Sequence, residues 1–377
     1  MNLDLGKIRD EIDAVDENIV NEFQKRMKLC KDVATYKIEN GKKVFDKQRE
    51  EEKIKKVVDL ADGEFNKKSV NELFSQIMSM SRKLQYQILT ENGMSEKFDF
   101  KKIKDIKMEG KKVVYQGVPG AYSQQAMIKF FGEDIENFNV KTFKDAFVAV
   151  DEGRADYAVL PIENSTAGTI NDVYDLLFSY DCYIVAETDV LVRHALLGTK
   201  DSTLEDIKVV YSHPQGLMQC NEYLEEHEDW QRIAKENTAG SAMKVMKEND
   251  KSHAAIASTM AAKIYGLKVL EENINRNNEN TTRFVIVSRK RVFREDANKV
   301  LVSFETAHKT GSLYNILSHF IFNGINMTSI ESRPIREKNW EYRFFVEAEG
   351  NILDEGMQNA LIGIKNEASY LKVIGSY

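Results

Sequence analysis

Residues 4–39, DLGKIRDEIDAVDENIVNEFQKRMKLCKDVATYKIE, contain no proline and a single glycine near their start. Ile8, Ile12, Val15, Ile19, Phe23, Cys30 and Val33 recur at three- and four-residue steps, the period of one apolar helix face. The spacing predicts a helix from about Asp4 to Glu39, stopped by Asn40-Gly41. At the usual rise, such a helix is about 54 Å long. Asp46 suits the N-cap of a second helix running to about Leu60. A third is expected from about Lys67 to Leu89. Two shorter helices cannot cover the apolar face of one this long, so a dimer that shares its helices is predicted.

The long stripe is interrupted in a telling way. Arg26 and Lys37 stand where the period asks for apolar residues, three turns and about 16 Å apart on one face. Arg9 lies on the edge of the same stripe. On the third helix the face Val70, Phe74, Ile77, Leu84, Ile88 carries Ser81 and, one turn on, Gln85. Buried cations are costly unless anions meet them. Taken singly, Arg26 or Lys37 could snorkel to solvent or pair with Glu22 or Glu50. Two cations with Ser81 and Gln85 describe instead a pocket for a small molecule bearing two carboxylates. Asp46-Lys47-Gln48-Arg49-Glu50 opens the second helix, where Asp46 serves equally as a plain cap.

Beyond this helical domain, residues 1–90, a charged connector spans 91–110. Then strands and helices alternate over 111–290: Val113–Tyr115 and Ala121–Phe131, Tyr157–Leu160 and Ile170–Phe178, Val209–Tyr211 and Gly216–Glu225, Ala254–Ala257 and Met260–Tyr265. The rhythm predicts an α/β domain with a largely parallel sheet. Polar or glycine-rich turns follow the strands: Gly117–Ser123, Pro161–Thr169, Ser212–Gln215, Asn237–Ser241 and Ser258-Thr259. Each can be a simple helix cap, but strand ends in a parallel sheet gather on one edge, where helix N-termini form an anion-binding cleft. A last turn-like stretch, Asn280-Thr281-Thr282-Arg283-Phe284, puts an arginine at the mouth of a buried strand, as a carboxylate clamp requires. Residues 298–377 read as strand, helix, two strands, helix, strand, the order of a ferredoxin-like plait.

The 377 residues suit two or three domains. A formal charge of −7 argues against a nucleic-acid partner. Cys30, Cys182 and Cys220 are too scattered for a disulfide framework or a metal knuckle. No apolar run is long enough for a membrane span, and the first residues do not resemble a signal peptide, so a cytoplasmic location is expected. None of the turns has the P-loop or dinucleotide pattern, and no metal or other cofactor is implied.

Arg9, Arg26, Lys37, Asp46, Arg49, Glu50, Ser81 and Gln85 fall at the spacing of the all-helical chorismate mutases fused to prephenate dehydratase, and the chain resembles that bifunctional family. The resemblance implies an intertwined dimer in which Arg9 reaches the partner's site. It implies that Arg9 and Arg26 bind carboxylates and that Lys37 and Gln85 face the ether oxygen of chorismate. Asp46, Arg49, Glu50 and Ser81 then hold the hydroxyl or the cations. Gly117–Ser123, Pro161–Ser165, Ser212–Gln215 and Thr282-Arg283-Phe284 resemble, in order, the prephenate dehydratase motifs, and contain three of the chain's four prolines. They imply a two-lobed fold similar to periplasmic binding proteins. Thr282 is implied as donor to the departing hydroxyl and Arg283 as a carboxylate ligand. Glu163, Asn164, Ser165, Ser212, His213 and Gln215 are implied as substrate contacts. His213 is a candidate acid, but a lone histidine also packs or caps.

In the C-terminal module, Gly311-Ser312-Leu313 and the run from Asn326 to Glu331-Ser332-Arg333-Pro334 resemble the two phenylalanine-binding motifs of the ACT regulatory domain. The first usually reads Gly-Ala-Leu, and Ser312 departs from it. The resemblance implies chorismate and prephenate as substrates, phenylalanine as inhibitor, and a homodimer or dimer of dimers. The competing expectation is a phenylalanine-binding regulatory protein with idle catalytic sites.

Overall fold

The computed structural model describes residues 4–93, 98–277, 279–335 and 341–377. They fall into two units, Met1–Phe98 with Ser303–Lys372, and Asp99–Val302 with Val373–Tyr377. Most of the C-terminal module thus shares a unit with the N-terminal helices, which its place in the linear order does not convey.

In the first unit the long apolar period forms one unbroken helix, α1 (Leu5–Glu39). The Asp4 carboxylate accepts from the Gly6 N–H at 3.0 Å and relieves one of the free donors at its start. It ends at Asn40, before Gly41 in the left-handed region at φ +61°. Asp46 caps α2 (Lys47–Val58), accepting from the Arg49 N–H at 3.1 Å. Gly63 turns the chain into α3 (Glu64–Glu91). Ala34 alone of the α1 residues is buried. Ile12, Val15 and Ile19 are 53%, 57% and 58% exposed, so the stripe is uncovered within one chain.

The second unit begins inside the connector. β1 (Lys101–Ile103) pairs in parallel with residues 292–294, and Ile106 is buried. The connector therefore carries structure that three residues are too few to announce by periodicity; its residues 94–97 lie outside those described. The first lobe follows with β2 (Lys112–Gln116), α4 (Tyr122–Phe131), β3 (Glu136–Val140), α5 (Phe143–Asp151), β4 (Tyr157–Asn164), β5 (Gly168–Thr169), α6 (Asn171–Ser179) and β6 (Tyr183–Leu191). The second lobe holds β7 (Ala195–Gly198), β8 (Val209–Ser212), α7 (Pro214–Gln219), α8 (Asn221–Glu225), β9 (Gln231–Ala234), α9 (Thr238–Glu248), β10 (His253–Ala257), α10 (Thr259–Tyr265) and β11 (Lys268–Glu271). β12 (Thr281–Ser288) returns to the first lobe and β13 (Val292–Arg294) completes the pair with β1.

The lobes carry sheets of order β6-β12-β4-β2-β3 and β11-β7-β10-β8-β9. Both are mixed, which corrects the largely parallel sheet expected. β12 is antiparallel to β4 and β6, and β7 to β10 and β11. Both strands enter directly from a crossing between lobes, without the helical crossover that parallel pairing needs. The two crossings are tied together: Val192 N–H donates to the Asn280 carbonyl at 2.7 Å and Ile274 N–H to the His194 carbonyl at 3.0 Å.

The Gly117–Ser123 turn also links the two lobes. Gly120 has φ +88°, and a Cβ there would stand 2.9 Å from the Ala261 Cα on α10. Ser258 Oγ donates to the Gly120 carbonyl at 3.0 Å. Gly120→Ala is expected to cost about 1–3 kcal/mol through positive φ and overpacking, seen as a lowered midpoint in urea unfolding with unchanged slope.

The C-terminal module consists of β14 (Lys299–Glu305), α11 (Ser312–Phe322), β15 (Met327–Pro334), β16 (Tyr342–Glu349), α12 (Glu355–Glu367) and β17 (Tyr370–Ser376). Its strand order, β15-β16-β14-β17, is that of a ferredoxin-like plait. Among the described residues no helix is long and apolar enough to cross a membrane.

Candidate active sites

Between α1, α2 and α3 lies a cleft of about 610 Å³ lined by Arg26, Lys37, Asp46, Arg49, Glu50, Ser81 and Gln85, with Cys30, Val33 and Met78 as apolar wall. Seven of the eight polar positions expected in the helical domain therefore converge. The eighth, Arg9, sits in an exposed part of α1 and does not line this cleft.

The cations do not snorkel. Arg26 donates through Nη1 to Ser81 Oγ and through Nη2 to Met78 Sδ at 3.2 Å. Lys37 Nζ donates to the Val44 carbonyl at 2.6 Å. Burial lowers the Lys37 pKa, against the opposing pull of Asp46 and Glu50. Glu22 pairs with Lys25 and not with Arg26. Glu50 pairs with Arg82, a buried residue of α3 that the reading of the sequence passed over. Its signal was present: Arg82 directly follows Ser81 on an apolar helix and needed a partner. Gln85 Nε2 donates to the Ser81 carbonyl at 3.1 Å, while its buried Oε1 has no hydrogen-bond partner among the described residues. A buried polar atom left open at a cleft is a position for a ligand contact.

In the second unit, Thr282 and Arg283 lie within β12 itself and not in a turn before it. β12 pairs them with Asn164 and Glu163 of β4. Successive strand residues point to opposite faces, so the two act on different sides of the sheet. Asn164 Nδ2 donates to Thr282 Oγ1 at 2.9 Å and to Asn280 Oδ1 at 2.8 Å. Asn164 Oδ1 accepts from the N–H groups of Thr166 and Ala167 at 3.1 and 2.9 Å. Ser165 Oγ accepts from the Thr281 N–H at 3.0 Å. Asn280, whose buried Nδ2 has no hydrogen-bond partner among the described residues, belongs with this group although only its motif was singled out. Arg283 donates to Glu163 at 3.1 Å and Glu187 at 3.2 Å, and Glu187 also meets Lys299 at 2.7 Å. The guanidinium thus already has two carboxylates against it.

Ser212 ends β8 in the other lobe, buried, its Oγ donating to the Ile256 carbonyl at 2.8 Å. A Cβ on Gly216 would lie 2.7 Å from that oxygen, so the start of α7 needs a glycine there. His213 caps α7: Nδ1 accepts from the Gln215 N–H at 3.2 Å, and burial lowers its pKa. An imidazole whose Nδ1 is held as an acceptor is placed as a cap.

In the C-terminal module Gly311 adopts φ +80° before α11, and Ser312 and Leu313 line a cleft of about 410 Å³ with Thr310, Tyr342 and Phe344. Asn326 accepts through its carbonyl from the Glu349 N–H at 2.9 Å. Glu331, Ser332, Arg333 and Pro334 run along β15 opposite Phe345, Phe344, Arg343 and Tyr342.

A helical cleft lined by cations, followed by two α/β lobes with a threonine-centred polar network, defines an enzyme with two separate sites. Residues 8–86 match the model of chorismate mutase type II, and residues 113–292 that of prephenate dehydratase. The chain is 32% identical over 377 residues to a bifunctional chorismate mutase/prephenate dehydratase of Buchnera aphidicola subsp. Acyrthosiphon pisum, covering 98% of this chain and 95% of that one. It is 31% identical over 378 residues to the protein so named in Aquifex aeolicus, covering 99% and 98%. A solved prephenate dehydratase from Arthrobacter aurescens, in complex with L-Phe, superposes with a TM-score of 0.66 at 29% identity, covering 71% of this chain and 89% of that one. The chain belongs to the bifunctional chorismate mutase/prephenate dehydratase family. It has a helical chorismate mutase domain and a prephenate dehydratase domain.

Proposed function

We propose that the chain converts chorismate to prephenate in the helical cleft and prephenate to phenylpyruvate at the Thr282 network, under inhibition by phenylalanine bound in the C-terminal module. The observation that carries the reading is the convergence of Arg26, Lys37, Ser81 and Gln85 on one cleft. The first reaction is a pericyclic rearrangement. It needs no nucleophile or proton shuttle, only a dianion held in its compact form and charge stabilised on the breaking ether bond. Arg26 supplies a carboxylate ligand, Lys37 and Gln85 face the ether oxygen, and Asp46, Arg49 and Glu50 order the hydroxyl end. In the second reaction Thr282, oriented by Asn164, donates to the departing hydroxide while the ring carboxylate leaves as carbon dioxide. Ser165 and Asn280 shape that site, and Gln215 of the other lobe is a further substrate contact. Arg283, between Glu163 and Glu187, acts by ordering these carboxylates.

The exposed α1 stripe supports a homodimer, which also supplies Arg9 to the partner's cleft. Ile12→Glu places a charge on that stripe and is expected to shift the protein toward monomer in sedimentation velocity and to lower mutase activity in parallel. The L-Phe complex of the Arthrobacter aurescens protein and the Gly311–Leu313 cleft support inhibition by phenylalanine. Phenylpyruvate formed from chorismate, followed spectrophotometrically with and without added phenylalanine, tests the whole scheme. No product from chorismate or prephenate sinks the enzymatic part, and an unchanged rate with phenylalanine sinks the regulatory part.

A further inference from the structure

Glu367 ends α12 in the C-terminal module, with its side chain only 6% exposed. A carboxylate there meets the negative end of the helix dipole, and out of water it is costly unless well paired. Its partners come from other helices of the same unit. Arg82 of α3 donates through Nε and Nη2 to the two Glu367 oxygens at 2.6 and 3.1 Å. Its Nη1 donates to Glu50 of α2, and the guanidinium lies 4.9 Å from the centre of the Phe45 ring. On the far side, His319 Nε2 of α11 stands 3.3 Å from Glu367 Oε1. Gly363 on α12 makes room for that ring, since a Cβ there would fall 2.3 Å from His319 Nδ1. Ile362 packs with Val44 and Tyr86 beside the cluster. Burial opposes ionisation of Glu367, but His319 and Arg82 outweigh it and lower its pKa to about 2.

Phe45 and Glu50 bracket Asp46 and Arg49, both of which line the chorismate cleft. Arg82 therefore grips the segment at each end. A bidentate carboxylate fixes the plane of a guanidinium, which a single contact to Glu50 does not. We propose that Glu367 is a positioning residue for the mutase reaction: it orients Arg82, which holds Phe45–Glu50 against the cleft, so the mutase site is complete only with α12 in place. The inference rests on the mutase reading above.

The test is a double-mutant cycle in the full-length protein, with the dehydratase as internal control. Glu367→Gln is expected to lower mutase kcat/KM by about tenfold or more and to leave the prephenate-to-phenylpyruvate rate within about twofold. In an Arg82→Met background the same change is expected to have almost no further effect on the mutase, because Glu367 acts through Arg82. Should Glu367→Gln fail to fold, Arg82→Met with Glu367→Leu removes the buried pair with apolar packing. It is expected to give the same selective mutase loss. Mutase activity unchanged in Glu367→Gln, an equal fall in both activities, or a full tenfold loss repeated in the Arg82→Met background would each overturn the proposal. A parent protein without mutase activity would instead overturn the mutase reading.

Discussion

Thr282→Ala is expected to lower the prephenate dehydratase rate by about 10²–10⁴-fold, the usual contribution of a positioned proton donor, and to leave mutase activity within about twofold. The hydroxyl accepts from Asn164 Nδ2 at 2.9 Å. A hydroxyl that accepts on one lone pair still has its proton to give, and the Asn164 contact fixes where that proton can point. Asn164 is itself held by the N–H groups of Thr166 and Ala167 and by Asn280, so the donor sits on a rigid support. A threonine hydroxyl is a weak acid, and in the proposed mechanism this network supports it. Thr282→Ser keeps the oxygen and should recover most of the rate. A Thr282→Ala enzyme that forms phenylpyruvate from prephenate at within tenfold of the parent would remove Thr282 from the mechanism.

Lys37→Met is expected to have the opposite selectivity, lowering mutase kcat/KM by about 10²–10³-fold with the dehydratase intact. Lys37 lies in the last turn of α1, with Nζ held 2.6 Å from the Val44 carbonyl in a partly buried cleft. An ammonium fixed before the ether bond breaks stabilises developing negative charge without reorganising. Desolvation lowers its pKa, with Asp46 and Glu50 pulling the other way. The charged form is the active one, so mutase activity should fall as pH rises through a value below that of an ordinary lysine. The dehydratase should lack that limb, so a shared alkaline fall in both activities would point to unfolding.

The mutase side was the more legible. Helix periodicity is a local property, and it revealed the three helices and the cations that interrupt them. Asp46 proved to be a cap and a member of the cleft at once, because its carboxylate caps α2 at the point where the chain enters the site. The dehydratase side was legible mainly as ordered motifs. β3, α5, β6, β7, β9 and β11 went unread, since segments of four to nine residues carry little periodicity. The first residues of β12 were read as a turn before the strand because Thr281 and Thr282 are polar; pairing with β4 and β6 on both sides makes them part of the strand.

By itself, the sequence determined the helical domain and the likeness to the two enzyme families, because apolar period and motif spacing are written along the chain. Tertiary structure alone decided that Arg283 is held between Glu163 and Glu187, and that Arg82 joins Glu50 to Glu367. Arg82 and Glu367 are 285 residues apart. No local pattern reports such a pairing, since it is set by which buried charges the packed helices bring within reach of one another.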